Sequence, residues 1–232
     1  MPTNISVIVP TYNEAESLPV LTQRLFAALQ EAGLEAELVV VDDSSPDGTG
    51  DVAEGLAHQY PMRVLHRPPK SGLASAVWDG MAQARGDILV VMDADLSHPP
   101  EVVPQLIQAV ASGAADLAVG SRYVPGGGVI NWPWLRRFAS WFANQLARPF
   151  VPMRDATSGF FALKRDVVQG VALDPIGFKI GLEVMAKGRY ERFKEVPYTF
   201  QDRRYGQSKF GTKEVRHYLR QLGRLMRYRR SR

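Results

Sequence analysis

Two aspartates one residue apart, Asp93 and Asp95, are the side chains of this sequence best suited to chemistry. They follow the apolar run 88–92, which is short, rich in branched residues and bounded by turn formers, so it predicts a buried strand. Because side chains alternate along a strand, we expect both carboxylates to leave on one side. Mg²⁺ in proteins takes one or two carboxylates and adds water and substrate phosphates. The pair therefore predicts either a metal site for a phosphorylated substrate or a polar cap on the strand end.

The sequence lacks the familiar phosphate-binding loops. It contains no Walker loop, no G-x-G-x-x-G, no H-E-x-x-H and no cysteine. A bound phosphate would therefore depend on a metal ion and on basic side chains, for which Arg122, Arg203 and Lys209 are the candidates. His98, close to the aspartate pair, is expected to pack or to support the metal ligands.

The elements that must position these residues alternate over the first 120 positions. Strand patterns cover 5–9, 38–41, 63–65, 88–92 and 116–119, and helical patterns cover 15–32, 51–60, 74–84 and 101–111. This alternation predicts an α/β fold with an open, mostly parallel sheet and helices on both faces. Such sheets bind ligands outside the carboxyl ends of their strands, where Glu14, Asp43 and the aspartate pair are expected.

Two later segments combine apolar and basic residues. Segment 129–152 holds three of the four tryptophans with several arginines, which suits a helix at a membrane–water interface and equally a core helix whose arginines extend to water. From Lys213 to Arg232 there are eight Lys or Arg residues against one acidic residue. The apolar spacing there predicts a basic amphipathic helix that favours an anionic partner.

The composition sets further bounds. The chain has 232 residues, 45% of them hydrophobic, with a net charge of +4. We expect one large domain with an appendage, no signal peptide and no stretch near the ~20 apolar residues that span a bilayer. The absence of cysteine fits the cytosol. No nucleic-acid-binding module is recognisable, so no nucleic acid is expected as a partner.

Six fragments, in this order and at these spacings, resemble the family-2 glycosyltransferases, in particular their dolichol-phosphate-mannose synthase group. They are VIVPTYNE (7–14), VVDDSSPDGT (40–49), GDILVVMDADLSHPPE (86–101), GSRY (120–123), ATSGF (156–160) and RRYGQSK (203–209). The resemblance implies a GT-A-like catalytic domain over 1–211 and a helical tail over 212–232.

The resemblance also implies roles for single residues. The positions that hold the base and ribose of the donor correspond to Pro10, Tyr12, Glu14, Val41 and Asp43. The metal-binding D-x-D corresponds to Asp93 and Asp95, with Ala94 contributing backbone near the nucleotide. Ser97 stands where some relatives use Gln as a further ligand.

The basic groups of the family correspond to Arg122, Arg203 and Lys209, which together with Asp95 form the expected catalytic set. They would surround the diphosphate and the acceptor phosphate, and Arg136 or Arg137 would add a further contact.

The implied activity is an inverting, Mg²⁺- or Mn²⁺-dependent transfer of a sugar, with mannose from GDP-mannose favoured, to a polyprenyl phosphate. Two alternatives stay open: a transferase that uses a UDP-sugar such as UDP-glucose, and a non-catalytic protein that binds sugar nucleotides or membranes. We expect peripheral attachment to the cytosolic face of a membrane, with a membrane subunit as a further partner to consider.

Overall fold

Alternating strands and helices form the first half of the chain, as the apolar pattern predicts. The computed structural model describes residues 4–69, 72–174, 179–202 and 212–230. Its first elements are β1 (Ile5–Thr11), α1 (Ser17–Glu31), β2 (Glu37–Asp42), α2 (Thr49–Ala57), β3 (Met62–His66), α3 (Leu73–Gln83), β4 (Ile88–Val91), α4 (Val103–Ala111) and β5 (Leu117–Ser121). The remaining elements are β6 (Gly128–Val129), α5 (Trp134–Ala147), β7 (Phe161–Lys164), α6 (Ile180–Lys187), β8 (Phe193–Pro197), β9 (Thr199–Phe200) and α7 (Thr212–Arg230).

Seven of these strands form one sheet in the order β3-β2-β1-β4-β7-β5-β8. Only the pairings of β7 with β4 and β5 are antiparallel within this sheet. The predicted α/β fold with an open, mostly parallel sheet is therefore confirmed. Because β7 runs against its neighbours, its beginning at Phe161 lies at the same edge as the carboxyl ends of the other strands. We refer to this edge as the site edge.

Helices cover both faces of the sheet and bury two apolar clusters. Alternate residues of the central strands serve the two faces, so that Val7 and Val9 join one cluster while Ile8 joins the other. All seven residues of β1 are buried, as expected for a strand covered on both sides. The predicted C-terminal helix is present as α7, and it contributes Tyr218 and Leu222 to the cluster that contains Ile8.

Helix α5 exposes its aromatic side chains. Trp134 is 73% exposed and Phe138 56% exposed, and Leu135, Trp141 and Phe142 are exposed as well. Within α5, every residue of which the structure describes, only Asn144 and Ala147 are buried. An ordinary core helix would bury the aromatic face, so that interpretation of the segment is wrong.

Across the described ranges, no helix combines the length and the apolar character that crossing a bilayer requires.

Candidate active site

The two central aspartates lie in a bend at the site edge. Strand β4 ends at Val91, so the alternation expected from a strand does not extend to Asp93 and Asp95, and that part of the prediction is wrong. The Asp93 side chain is 37% exposed, whereas Asp95 is only 5% exposed. The Asp93 N–H donates to Nδ1 of His98 at 3.0 Å, and the Ser97 N–H donates to Oδ1 of Asp95 at 3.0 Å. The bend is thus held by its own polar groups.

A leucine in an unusual conformation shapes this bend. Leu96 has a φ of +63°, a left-handed value that bulky residues rarely adopt. Its side chain is buried in the same apolar cluster as Val9 and Met92. The core therefore fixes the backbone between Asp95 and Ser97.

His98 joins the bend to the buried aromatic side chains beneath the site edge. It is buried and stacks on Phe160, with 4.9 Å between the ring centroids, while Tyr198 approaches edge-on at 5.7 Å. Burial lowers the pKa of His98 to about 4, although the nearby charge of Asp95 opposes this shift. A neutral imidazole with an unprotonated Nδ1 is the form that accepts the Asp93 N–H.

Arg122 follows β5 and forms a buried ion pair. Its Nε and Nη2 donate to the two carboxylate oxygens of Asp155, each at 2.7 Å, and Nη2 also donates to Oγ1 of Thr157 at 2.9 Å. Burial alone would lower the pKa of Arg122, but the charge of Asp155 outweighs it and raises this pKa above its ordinary value. Trp132 and Phe200 lie against the guanidinium, with centroids at 5.5 and 5.7 Å. The positive charge is therefore permanent and fixed in position.

Lys179 is a second cation at this site that the sequence did not reveal. Its Nζ donates to the carbonyl oxygen of Thr157 at 3.4 Å and lies 5.8 Å from the ring centroid of Tyr218. Burial lowers its pKa to about 8, and the charge of Arg122 adds to this shift while Asp155 and Asp93 oppose it. No motif marks Lys179, whereas Asp155 directly precedes the ATSGF fragment, which is a signal that could have found it.

A second buried ion pair lies at the end of β2. Nη1 of Arg67 is 3.2 Å from Oδ1 of Asp43, and the Gly72 N–H donates to the other carboxylate oxygen at 2.9 Å. The same arginine also contacts Asp79 at 3.0 Å and donates to Ser75 Oγ at 2.7 Å. Among the described residues, Oδ1 of Asp43 is buried without a hydrogen-bond partner. That oxygen is nonetheless engaged by the charge of Arg67, and the other accepts a backbone N–H, so the Asp43 carboxylate is held in place.

The remaining predicted residues of the donor subsite lie along the same edge. Pro10 pairs in register with Val41, and both are buried. Tyr12 and Glu14 follow β1, where the Glu14 N–H donates to Thr49 Oγ1 at 2.9 Å. Ala94 is buried within the bend after β4.

The predicted basic residues are only partly located. Arg203 and Lys209 lie outside the described residues. Arg136 pairs with Asp202 at 2.7 Å and stacks on Trp132, with 4.3 Å between the guanidinium carbon and the ring centroid. Arg137 is exposed.

The donor atoms at the bend suit a hard divalent cation. Two carboxylates and the Ser97 hydroxyl are oxygen ligands of the kind that Mg²⁺ and Mn²⁺ prefer. Ser97 Oγ is buried, and it has no hydrogen-bond partner in the described part of the chain. No group of three or more His, Cys, Asp or Glu side chains suited to a metal occurs in the described ranges. Mg²⁺ held by one or two carboxylates commonly takes water and substrate phosphates as its further ligands.

This fold, with a D-x-D bend at the carboxyl end of a central strand, defines a GT-A-like glycosyltransferase. Residues 6–171 match the family described as Glycosyl transferase family 2, and the chain belongs to that family.

The chain is 50% identical over 228 residues to dolichol-phosphate mannosyltransferase of Pyrococcus furiosus. The alignment covers 97% of this chain and 64% of that protein. It is 42% identical to the dolichol-phosphate mannosyltransferase of Saccharomyces cerevisiae, over 94% of this chain and 85% of the yeast protein. The chain thus spans slightly less than two thirds of the archaeal relative's length and most of the yeast relative's length.

Solved structures share the fold. The crystal structure of Mycobacterium tuberculosis glucosyl-3-phosphoglycerate synthase in complex with Mn²⁺ and uridine-diphosphate-glucose superimposes with a TM-score of 0.66. It is 22% identical and covers 97% of this chain and 78% of that one. The likeness supports the GT-A-like architecture.

Proposed function

We propose that this glycosyltransferase transfers mannose from GDP-mannose to the phosphate of a polyprenyl lipid, giving polyprenyl-phosphate-mannose and GDP. The names of the relatives at 42–50% identity support the sugar and the lipid acceptor. The observation that carries the proposal is the meeting of two kinds of charge at the site edge. The charge of Asp93 acts on Lys179, and His98 lies close enough to both Asp95 and Arg122 for each charge to shift its pKa.

Asp93 and Asp95 would hold the divalent cation, Mg²⁺ or Mn²⁺, with Ser97 beside them. When bound, the cation supplies charge stabilisation to the leaving nucleoside diphosphate. Asp43, held by Arg67 and Gly72 at the end of β2, would contribute its carboxylate to binding the donor's ribose or base. Pro10, Tyr12, Glu14, Val41 and Ala94 complete this proposed donor subsite.

The cations would receive the acceptor phosphate. Arg122 is oriented by Asp155, and Lys179 is positioned by Thr157. Arg203 and Lys209 are proposed to join them. Their charge would reduce the repulsion between two anionic substrates, so positioning and electrostatics supply most of the catalysis.

The transfer itself needs no strong base. A phosphomonoester has its second pKa near about 6, so the acceptor is largely dianionic at neutral pH. One of its oxygens attacks the anomeric carbon in line, forming the new C–O bond. The bond to the diphosphate breaks and its electron pair leaves with GDP, which inverts the configuration.

The exposed side of the molecule suits a lipid acceptor. The aromatic side chains of α5 and the arginines of α7 would attach the protein to an anionic membrane surface, proposed to be the cytosolic face. Each Lys or Arg close to such a surface contributes about 1 kcal/mol.

The proposal is tested by incubating the protein with a short polyprenyl phosphate, GDP-mannose or UDP-glucose, and Mg²⁺, Mn²⁺ or a chelator. We expect mannosylated lipid only from GDP-mannose with a metal present. Transfer from UDP-glucose alone would replace the donor, and nucleotide binding without any transfer would support the non-catalytic alternative.

A matched pair of variants assigns the metal site. Asp95→Asn is expected to lower transfer more than about 100-fold while the fold survives, because the leaving diphosphate loses its charge stabilisation. Asp51→Asn, at an exposed position on α2, is the control and should behave as wild type. Undiminished transfer by Asp95→Asn would remove the metal assignment.

A further inference from the structure

One buried amide joins α5 to the candidate active site. Asn144 is 3% exposed, although it belongs to the helix that turns its aromatic face outward. Its Oδ1 accepts the Thr157 N–H at 3.1 Å, and its Nδ2 donates to Thr157 Oγ1 at 3.3 Å and to the Ser140 carbonyl at 3.0 Å. The side chain thus binds the backbone and the hydroxyl of the same threonine.

Thr157 is the residue that both described cations of the site share. Its Oγ1 accepts Nη2 of Arg122 at 2.9 Å, and its carbonyl oxygen accepts Nζ of Lys179 at 3.4 Å. The Thr157 hydroxyl also lies 3.3 Å from Oδ1 of Asp155. A movement of Thr157 would therefore displace both positive charges relative to the D-x-D bend.

We propose that Asn144 is a positioning residue, which fixes Thr157 to α5 and thereby sets the places of Arg122 and Lys179. This inference rests on the proposed function in one respect: the two cations must receive a phosphate. It deepens that function because the helix whose outer face is proposed to meet the membrane also holds the cations through its inner face.

The chemistry of the amide argues for this role. A buried polar group costs free energy unless it is hydrogen-bonded, so an apolar residue at position 144 would be the simpler solution for a helix packed on a core. Asn can donate and accept at once, and both capacities are used here on Thr157. Reacting groups displaced by about 1 Å lose on the order of 100-fold in rate, so such a clamp matters for catalysis.

The kinetic test compares Asn144→Leu with Gln145→Leu, the same exchange one residue further along α5. We expect Asn144→Leu to lower kcat by about 10- to 100-fold. The KM for GDP-mannose should change by less than about twofold, because the proposed donor subsite is formed by other elements. Gln145→Leu should leave both constants unchanged. Wild-type kcat in Asn144→Leu would overturn the inference.

A second set of variants keeps the inference falsifiable should Asn144→Leu fail to fold. Thr157→Val removes the hydroxyl but keeps the backbone N–H, and it is expected to lower kcat by about tenfold, whereas Thr157→Ser should restore it. The double variant Asn144→Ala/Thr157→Val, with a residue of high helix propensity at position 144, should be no worse than the poorer of its two single variants, since both act through one contact. Fully additive losses would overturn the inference.

Amide hydrogen exchange gives a readout that does not depend on transfer. In Asn144→Leu, exchange in a peptide spanning 155–160 should accelerate, while a peptide spanning 93–98 should exchange as in wild type. Absence of transfer by the wild-type protein would defeat the proposed function and leave this measurement intact. Unchanged exchange at 155–160 would defeat the positioning role alone.

Discussion

Two buried arginine–aspartate pairs, one in each half of the chain, differ in how fully the arginine engages the carboxylate. In the first half, Arg67 contacts Asp43 at one point, 3.2 Å, and divides its other donors between Asp79 and Ser75. In the second half, Arg122 engages both oxygens of Asp155, each at 2.7 Å. The first pair is thus a single, longer contact, whereas the second is bidentate and engages the whole carboxylate.

The proposed site takes its two kinds of charge from different halves of the chain. The first half contributes carboxylates, with Arg67 present to hold Asp43. The second half contributes cations, with Asp155 present to hold Arg122. In both pairs the buried counter-ion makes it possible to place a charged functional group at a poorly solvated edge.

The two halves also differ in whether the apolar face of a helix is buried. Helix α4 turns its apolar residues inward, with Leu106 and Ile107 fully buried, whereas α5 turns its aromatic residues outward. The apolar face of α4 is therefore part of the core, whereas that of α5 is left exposed.

Breaking the second pair should have the largest effect on stability. Asp155→Asn leaves the Arg122 charge buried without its counter-ion, and we expect the free energy of unfolding to fall by about 3–5 kcal/mol. Urea denaturation monitored by circular dichroism measures this change. A loss below about 1 kcal/mol would show that the buried Arg122 charge does not depend on Asp155 for its stability.

Two side-chain substitutions test whether the apolar residues of α4 and α5 differ in what they contact. Leu106→Ala in α4 should cost about 2–5 kcal/mol of unfolding free energy, because it opens a cavity in the core. Phe138→Ala in α5 should change stability by no more than about 0.5 kcal/mol, yet reduce binding to phosphatidylserine vesicles in flotation. Equal vesicle binding by Phe138→Ala and wild type would count against α5 as the attachment surface.

Breaking the first pair should have a smaller effect on stability. In Asp43→Asn, Arg67 retains Asp79 and Ser75, so we expect a loss of about 1–3 kcal/mol. The affinity for GDP in the presence of Mg²⁺, measured by calorimetry, should fall because an acceptor oxygen is lost. A variant as destabilised as Asp155→Asn would make the two pairs equivalent.

The smallest effect concerns pH and belongs to the second half only. Lys179, with a pKa of about 8, is charged below that pH, so the KM for the polyprenyl phosphate should rise by up to about tenfold between about pH 7 and pH 9. Lys179→Met should abolish this dependence. The free energy of unfolding, in contrast, should become more favourable to the folded state as the pH increases from about 8 toward 10.5. In that window the unfolded chain still binds the Lys179 proton, whereas the folded chain has released it.

The first half of the fold was predictable because its signals are local. Buried parallel strands appear as short apolar runs, and β1, β2 and β3 begin and end within two residues of the predicted bounds. The bend after β4 was not predictable from alternation, since its course depends on the positive φ of Leu96 and on the hydrogen bond from Ser97 to Asp95.

Residues of the candidate site were predictable only where they belong to one of the sequence fragments that resemble the family. Asp43, the D-x-D pair and Arg122 belong to such fragments, whereas Arg67 and Lys179 are single basic residues whose partners come from distant parts of the chain. The aromatic and basic content of segment 129–152 likewise indicated a helix but carried no information about what its aromatic side chains contact.

The left-handed conformation of Leu96 bears on how tightly an ion could bind at the bend. A conformation of this kind costs about 1–3 kcal/mol and persists only when the surrounding structure over-determines it. Here the core supplies that constraint during folding, so the backbone between Asp95 and Ser97 is preorganised before any ion arrives. Little conformational entropy would then be lost on association, and affinity at this bend would depend on charge and coordination rather than on ordering a flexible segment.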